Sequence, residues 1–360
     1  MTTALFNYRK PGYRQFVESE AFKAQANGNQ YQIKINSIFK KYASQLKGLI
    51  GKSGNPYEGE DDGSYPERMK QIFAAVEQIP EAMKDFDQIA KEREQLFAKT
   101  VYQAEKKVKS ARGMKTSLSK EGFLCYNHIS SVQDWENDSE IVAKYYREVE
   151  NIAKEVTGAT HTFCNSHLYR RSNNAETPLG KIFGASISPV KSVHNDFTEY
   201  YGPALLKTFA GDESTTSFGV IDQMKEAGVT LEYLSNCQII VLNTWRPIIE
   251  NPLLRNPLAL IDNRTVTEKE LIPVTLGDEK TGLEVCISEY NPAHEFYYYP
   301  NQTKNELLVF KTYDSERIPF IPTLHTSFDD PNTPADAEER KSVEVRVICL
   351  VEKGQNMSKL

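Results

Sequence analysis

Beyond Gly122 the chain cuts its apolar residues into short runs, and this segmentation limits the possible folds more than any other feature. The runs 122–128, 160–169, 190–197, 237–245, 283–290, 294–299, 306–313 and 342–351 are rich in β-branched and aromatic residues, and turn formers punctuate the stretches between them. That pattern reads as a series of short strands. One helix is expected between them, begun by Asp138 or Ser139 as N-cap, carrying Ile141, Val142, Tyr145, Val149, Ile152 and Val156 inside and stopped by Gly158. A helical interlude is expected near 199–228. Many short strands after a helical start suggest a β-sandwich or jelly roll with helices packed outside. The fold class read here is mainly β with helices (α+β).

The segment before these runs has a different period. After an irregular, partly strand-like arm over residues 1–30, Ile35, Ile38, Phe39, Tyr42, Leu46 and Leu49 recur at spacings of three and four, which predicts an amphipathic helix. It should stop near Gly51, where breakers crowd Gly51-Lys52-Ser53-Gly54-Asn55-Pro56, with an acidic loop over Glu58 to Gly63 after it. Ser64 and Pro66 mark a second start, with Met69, Ile72, Phe73 and Val76 as its buried stripe, and Pro80 interrupts it. A longer helix is then expected to carry Met83, Phe86, Ala90, Phe97, Val101 and Ala104, ending among Lys106, Lys107, Lys109 and Arg112 before Gly113. The expected organisation is a helical N-terminal extension, 1–115, packed on a β-rich domain, 116–360.

Bulk properties exclude several classes. A net charge of −6 gives no basic face for nucleic acid. No stretch reaches the apolar length of a membrane span, and the first residues lack the apolar centre of a signal peptide. The five cysteines are scattered and form no C-x-x-C pair, which points to reduced thiols in the cytoplasm. There is no Walker loop, no G-x-G-x-x-G and no serine elbow.

The chemistry-bearing stretch is Val193-His194-Asn195-Asp196-Phe197-Thr198. His194 and Asp196 are two apart and share one side of an extended strand. A second histidine would complete the two-histidine, one-carboxylate set that holds non-heme Fe(II) and leaves positions open. His325, ahead of Phe328-Asp329-Asp330-Pro331, is the strongest candidate. With 49 acids in 360 residues, a His-x-acid pair arises roughly once by chance, so the weight falls on residues further along the chain. Arg340 and Ser342 open a strand, and a guanidinium beside a hydroxyl suits the distal carboxylate of 2-oxoglutarate. Arg346 would share that face, and spacing does not separate the two arginines. The bland alternative for Arg340 is a surface ion pair with Glu338 or Glu339. In Asn243-Thr244-Trp245-Arg246-Pro247, Trp245 and Arg246 either line a pocket or cap a sheet. His128, His161, His167 and His294 lack metal-like spacing and read as structural, and Cys286 and Cys349 as buried thiols.

From about Ser117 to the C-terminus the chain resembles the Fe(II)/2-oxoglutarate oxygenases related to the cephem methoxylase small component, a branch with many fungal hydroxylase/desaturases of secondary metabolism. The resemblance rests on an ordered series: Glu121-Gly122-Phe123, Tyr145-Tyr146-Arg147-Glu148-Val149-Glu150, Thr157-Gly158-Ala159, Val193-His194-Asn195-Asp196, Asn243-Thr244-Trp245-Arg246-Pro247, Asn256-Pro257-Leu258-Ala259-Leu260-Ile261-Asp262, Phe310-Lys311-Thr312-Tyr313-Asp314-Ser315, His325 with Phe328-Asp329-Asp330-Pro331, and Ser342-Val343-Glu344-Val345-Arg346. It implies a double-stranded β-helix, His194, Asp196 and His325 as Fe(II) ligands, and Arg340 with Ser342 as the 2-oxoglutarate clamp. Arg346, Asn243 and Arg246 are further candidates around the co-substrate. The implied enzyme uses O2 to hydroxylate, desaturate or oxidatively cyclise a small metabolite, and a homodimer is expected by analogy. The competing readings are an iron oxidase or cyclase that needs no 2-oxoglutarate, and a non-catalytic partner subunit.

Overall fold

The computed structural model describes residues 2–10, 29–50, 65–172, 188–212, 219–276 and 283–353. Two sheets curl around a common interior. The larger has eight strands in the order β1 (Thr2–Arg9), β2 (Val101–Ser110), β10 (Phe296–Tyr298), β7 (Leu258–Ile261), β12 (His325–Ser327), β5 (His194–Asn195), β9 (Leu283–Ser288), β8 (Leu271–Leu276). The smaller has five: β3 (Phe123–Asn127), β11 (Glu306–Asp314), β6 (Cys237–Pro247), β13 (Lys341–Glu352), β4 (His161–Arg171). Pairing is antiparallel throughout, except that β10 runs parallel to β2. Sequence neighbours cross repeatedly between the sheets, which is jelly-roll connectivity.

The five-stranded sheet is buried on both faces, so β6 shows no exposed residue along its length. Its outer face carries Ile240, Leu242, Val343, Val345 and Val347 against Val149, Ile152 and Ala153 of a helix at Tyr146–Thr157. Asn137 rather than Asp138 or Ser139 caps the helical turn that leads into it, its side chain accepting from the Glu140 N–H at 3.2 Å. Gly158 ends the helix in the left-handed conformation, as expected. The inner face alternates with the outer one. Its residues join two apolar plugs, Val241, Ile348 and Leu350 packing with Phe197 and Tyr201, and Phe123, Trp245, Leu308 and Phe310 packing with Leu258 and Leu260 of β7. Polar side chains are concentrated between these plugs.

The N-terminal section differs from its expected form. Three helices do form, α1 (Asn29–Ile50), α2 (Tyr65–Glu77) and α3 (Pro80–Thr100), and they share a core of their own around Phe39, Leu46, Val76 and Phe86. The Glu58–Gly63 loop and the side chains of Met69 and Phe97 lie outside the described residues. The third helix stops at Thr100, however, and Val101–Ser110 is a strand. Ala104 and Val108 are its buried positions, four apart, a spacing compatible with either period. Pairing with β1 decides for the strand, from Thr2 opposite Val108 to Arg9 opposite Val101. The three helices are therefore inserted between two paired strands of the large sheet.

That first strand also braces the stretch that carries His194. Phe6 stacks on Phe296 with ring centroids 4.1 Å apart. The Asn7 carbonyl accepts from the Val193 N–H at 2.9 Å, one residue ahead of His194.

Candidate metal centre and carboxylate clamp

The pairing of β5 with β12 puts His194 opposite His325. Their rings lie 4.4 Å apart, centroid to centroid, and Asp196 comes next on the same side. One nitrogen from each imidazole and one oxygen of Asp196 all lie within 4.8 Å of one another. Among the described residues this is the only such grouping of histidine, cysteine and acid.

Hydrogen bonds fix which nitrogens face inward. The Nδ1 of His194 lies 2.7 Å from the Ser192 carbonyl, and that of His325 lies 3.2 Å from the Thr323 carbonyl. A carbonyl only accepts, so each Nδ1 carries the proton and each Nε2 is left with a lone pair. Burial, then the nearby His325, pushes His194 down to about 4, and burial likewise lowers His325. Both rings are thus neutral donors near pH 7.

Asp196 is held as a carboxylate. Burial alone would raise its pKa, but the Arg346 guanidinium, the two imidazoles and Asn243 outweigh that and keep it well below the usual range. Its Oδ2 accepts from Asn243 Nδ2 at 2.7 Å and from Arg346 Nε at 3.0 Å, and Arg346 Nη2 forms an ion pair with it at 2.9 Å. Thr312 donates to Asn243 Oδ1 at 3.2 Å, which fixes the orientation of that amide. The other oxygen, Oδ1, faces His194 Nε2 at 3.7 Å. Two neutral nitrogens and one anionic oxygen converge, with their outer atoms already bonded. This donor set suits a divalent first-row metal with open positions.

The supports of His325 run back to Gly122. The Thr323 hydroxyl donates to the Gly122 carbonyl at 2.9 Å, while the Thr323 carbonyl holds the imidazole. Gly122 has φ 88°, and a Cβ there would strike Thr323 and Asn263. Only glycine meets both demands.

Arg340 is 2% exposed and makes no ion pair among the described residues. Glu339 instead pairs with Arg255, and Glu338 accepts from Asn251, so the surface-pair alternative does not hold. Its Nε donates to Ser342 Oγ at 3.0 Å, and its Nη1 donates to the Asn256 carbonyl at 2.8 Å and to Ser327 Oγ at 3.2 Å. Its guanidinium covers the Trp245 ring at 4.9 Å. Burial, then Arg170, makes its cationic form less favoured than usual. A buried guanidinium with hydroxyl neighbours and no ion-pair contact among the described residues fits a carboxylate ligand. Ser327 escaped sequence reading, although it stands two residues beyond His325 and therefore on its face. Glu344, also buried, was missed as well; it lies 3.6 Å from Arg346.

The remaining candidates separate. Arg346 binds Asp196, whereas Arg340 is bonded to Ser342, Ser327 and the Asn256 carbonyl, a difference that spacing does not show. Asn243 bonds the Asp196 carboxylate. Arg246 is on the other face of β6, where it donates to His128 Nδ1 at 2.8 Å and to the Lys304 carbonyl at 3.1 Å. It is three residues from Asn243, and an odd offset in a strand reverses the face. His167 sits between Asp138 and Tyr146, His294 between Glu270 and Tyr8, and His161 stacks on Phe163.

The chain has relatives of known class. The family described as Oxidoreductase/YMDC permease-like domain matches residues 76–350. The Fe(II)/2-oxoglutarate-dependent dioxygenase nvfI of Aspergillus novofumigatus is 31% identical over 213 residues, covering 59% of this chain and 67% of that protein. The hydroxylase/desaturase efuI of Hormonema carpetanum is 28% identical, covering 65% and 78%. The solved structure of the iron and alpha-ketoglutarate-dependent endoperoxidase NvfI superposes with a TM-score of 0.56 at 22% identity, over 70% of this chain and 88% of that one, and shares the fold.

Proposed function

We propose, for a chain that belongs to the Oxidoreductase/YMDC permease-like domain family and is an Fe(II)/2-oxoglutarate-dependent oxygenase, that His194, Asp196 and His325 hold the iron and that Arg340 and Ser342 hold the far carboxylate of 2-oxoglutarate. The observation that carries this reading is the pair of inward Nε2 lone pairs set beside a carboxylate whose other oxygen is already occupied. The clamp supports it. His325 and Ser327 are two residues apart on β12, about 7 Å along a strand, which is the reach of a five-carbon dicarboxylate spanning metal and guanidinium.

Fe(II) held by His194, Asp196 and His325, with 2-oxoglutarate held by Arg340 and Ser342, would supply O2 activation and so the oxidising power to break an unactivated C–H bond. The chain supplies the rest. Arg346 and Asn243 keep Asp196 anionic and turned inward. The Ser192 and Thr323 carbonyls lock the imidazole tautomers. The apolar plugs on either side exclude water from the polar middle of the interior. The acceptor is a small molecule, and the outcome is hydroxylation, desaturation or oxidative cyclisation in secondary metabolism. Among the described residues no helix is long and apolar enough to cross a membrane. A cytoplasmic homodimer belongs to the same proposal, with the cysteines as reduced thiols.

The test is an anaerobic titration with Fe(II) and then 2-oxoglutarate, monitored by the weak visible band of the chelate. The band should form in the wild type, vanish in His194→Ala and weaken in Arg340→Ala. Turnover that survives Asp196→Ala would sink the ligand assignment.

A further inference from the structure

We propose that the indole N–H of Trp245 is a further donor to the distal carboxylate of 2-oxoglutarate, beside Arg340 and Ser342. This rests on the reading that Arg340 and Ser342 form the clamp. Trp245 is 1% exposed, and its Nε1 has no hydrogen-bond partner among the described residues. A buried donor without an acceptor is rare in folded proteins and points to a missing partner. Its location says what that partner is. Trp245 lies on the inner face of β6, opposite Glu344 of β13 and Leu308 of β11. The residue pair Pro247 and Ser342 is next along the same face. The Arg340 guanidinium covers the indole at 4.9 Å, so the orphan N–H belongs to the ring system that the clamp cation rests on. The next residue back, Thr244, turns outward and spends its hydroxyl on the Val345 carbonyl, so it does not compete.

A carboxylate offers two oxygens and about four lone-pair sites, enough to accept from a guanidinium, a hydroxyl and an indole together. The indole donor differs from both neighbours in being rigid and uncharged. Its contribution is therefore selectivity for a keto acid with a carboxylate at that distance rather than long-range attraction.

The chain has two tryptophans, Trp135 and Trp245. Trp135 packs edge-on against Tyr145 in the outer layer, 4.9 Å between centroids, so it serves as an internal control. The experiment is a two-dimensional NMR spectrum of protein labelled with 15N at the indoles and loaded with Zn(II), the peaks being assigned with Trp135→Phe. Adding 2-oxoglutarate should move the Trp245 N–H resonance downfield and leave that of Trp135 in place. Adding 2-oxobutyrate, which has the same keto acid head and no distal carboxylate, should leave both. In Trp245→Phe the Kd for 2-oxoglutarate should rise by about tenfold to a hundredfold, as for a lost bond to a charged acceptor, while that for 2-oxobutyrate stays unchanged. A Trp245 resonance that ignores 2-oxoglutarate, or that responds equally to both acids, overturns the inference. Arg340→Ala separates the two levels. If it weakens 2-oxoglutarate and Trp245→Phe does not, only the indole assignment falls; if neither weakens it, the clamp reading falls with it.

Discussion

Asn243→Ala isolates one support of the metal centre without leaving a charge stranded. The substitution removes the 2.7 Å bond to Asp196 Oδ2, yet Arg346 still donates to that oxygen through Nε and pairs with it through Nη2. Thr312 also keeps its alternative acceptor, the Val241 carbonyl, at 3.1 Å. A hydrogen bond to a charged group contributes about 1.5–3 kcal/mol. If that energy is spent on orienting the carboxylate, its loss weakens metal binding by roughly tenfold to a hundredfold. Folding stability should fall much less than if Arg346 were removed, because no buried charge is orphaned. The assay is anaerobic calorimetric titration of Fe(II), with Arg246→Met as the comparison. Arg246 lies on the same strand but faces the outer layer, so that variant should lose stability and retain metal affinity in its folded fraction. Unchanged affinity in Asn243→Ala, or an equal loss in both variants, would refute the reasoning.

The N-terminal strand and a second buried network carry further consequences. Phe6→Ala empties a site packed against Phe296 and Phe328 and should cost about 3–5 kcal/mol in denaturant unfolding. Replacing residues 10–100 by a two-residue hairpin turn should leave a folded, metal-binding domain, since Arg9 and Val101 are already paired and the three helices share a core of their own; loss of folding would show that the insertion supports the sheet. Burial alone would raise the pKa of Glu270, but hydrogen bonds from His294, Thr267 and Asn291 outweigh it and hold the carboxyl at about 2, below its ordinary 4.5. Its stabilising effect is therefore complete above the ordinary value and is lost as pH falls through the folded one, so Glu270→Gln should flatten the acid limb of stability between about pH 5 and 2. An unchanged limb would show that the network does not respond to protonation.

The sequence disclosed most where chemistry and strand period coincide. His194 and Asp196 were legible from an even spacing, and Ser327 would have been legible by the same rule from His325. The joint candidacy of Asn243 and Arg246 was inconsistent with that rule from the outset, because residues three apart cannot share a strand face. Short elements were harder. Leu258–Ile261 is buried at every position and shows no alternation, and Leu271–Leu276 contains Pro273. His325–Ser327 is too short to have a period at all. The overrun of the third helix had a different cause. Ala104 and Val108 satisfy helix and strand alike, and the partner that selects strand is β1, almost a hundred residues earlier in the chain.

The inner face of β13 links the proposed clamp to the proposed metal centre. Ser342, Glu344 and Arg346 alternate along it, the first beside Arg340, the last on Asp196. Four residues of strand separate the ends by about 13 Å. That interval is wider than the two-residue step from His325 to Ser327 on β12, so Arg340 has to extend across the interior from the strand's start, and its bonds to Ser327 and to the Asn256 carbonyl show that it does. Glu344 occupies the gap. Burial raises its pKa most, and Asp196 adds to that, while Arg346 and Arg170 oppose. The step between the proposed clamp and the proposed metal ligands is therefore fixed by backbone period on two strands, and side-chain length has only to close the difference. A one-residue slip of β13 against β6 would turn Ser342, Glu344 and Arg346 outward together, which ties the proposed co-substrate site and the support of Asp196 to a single register.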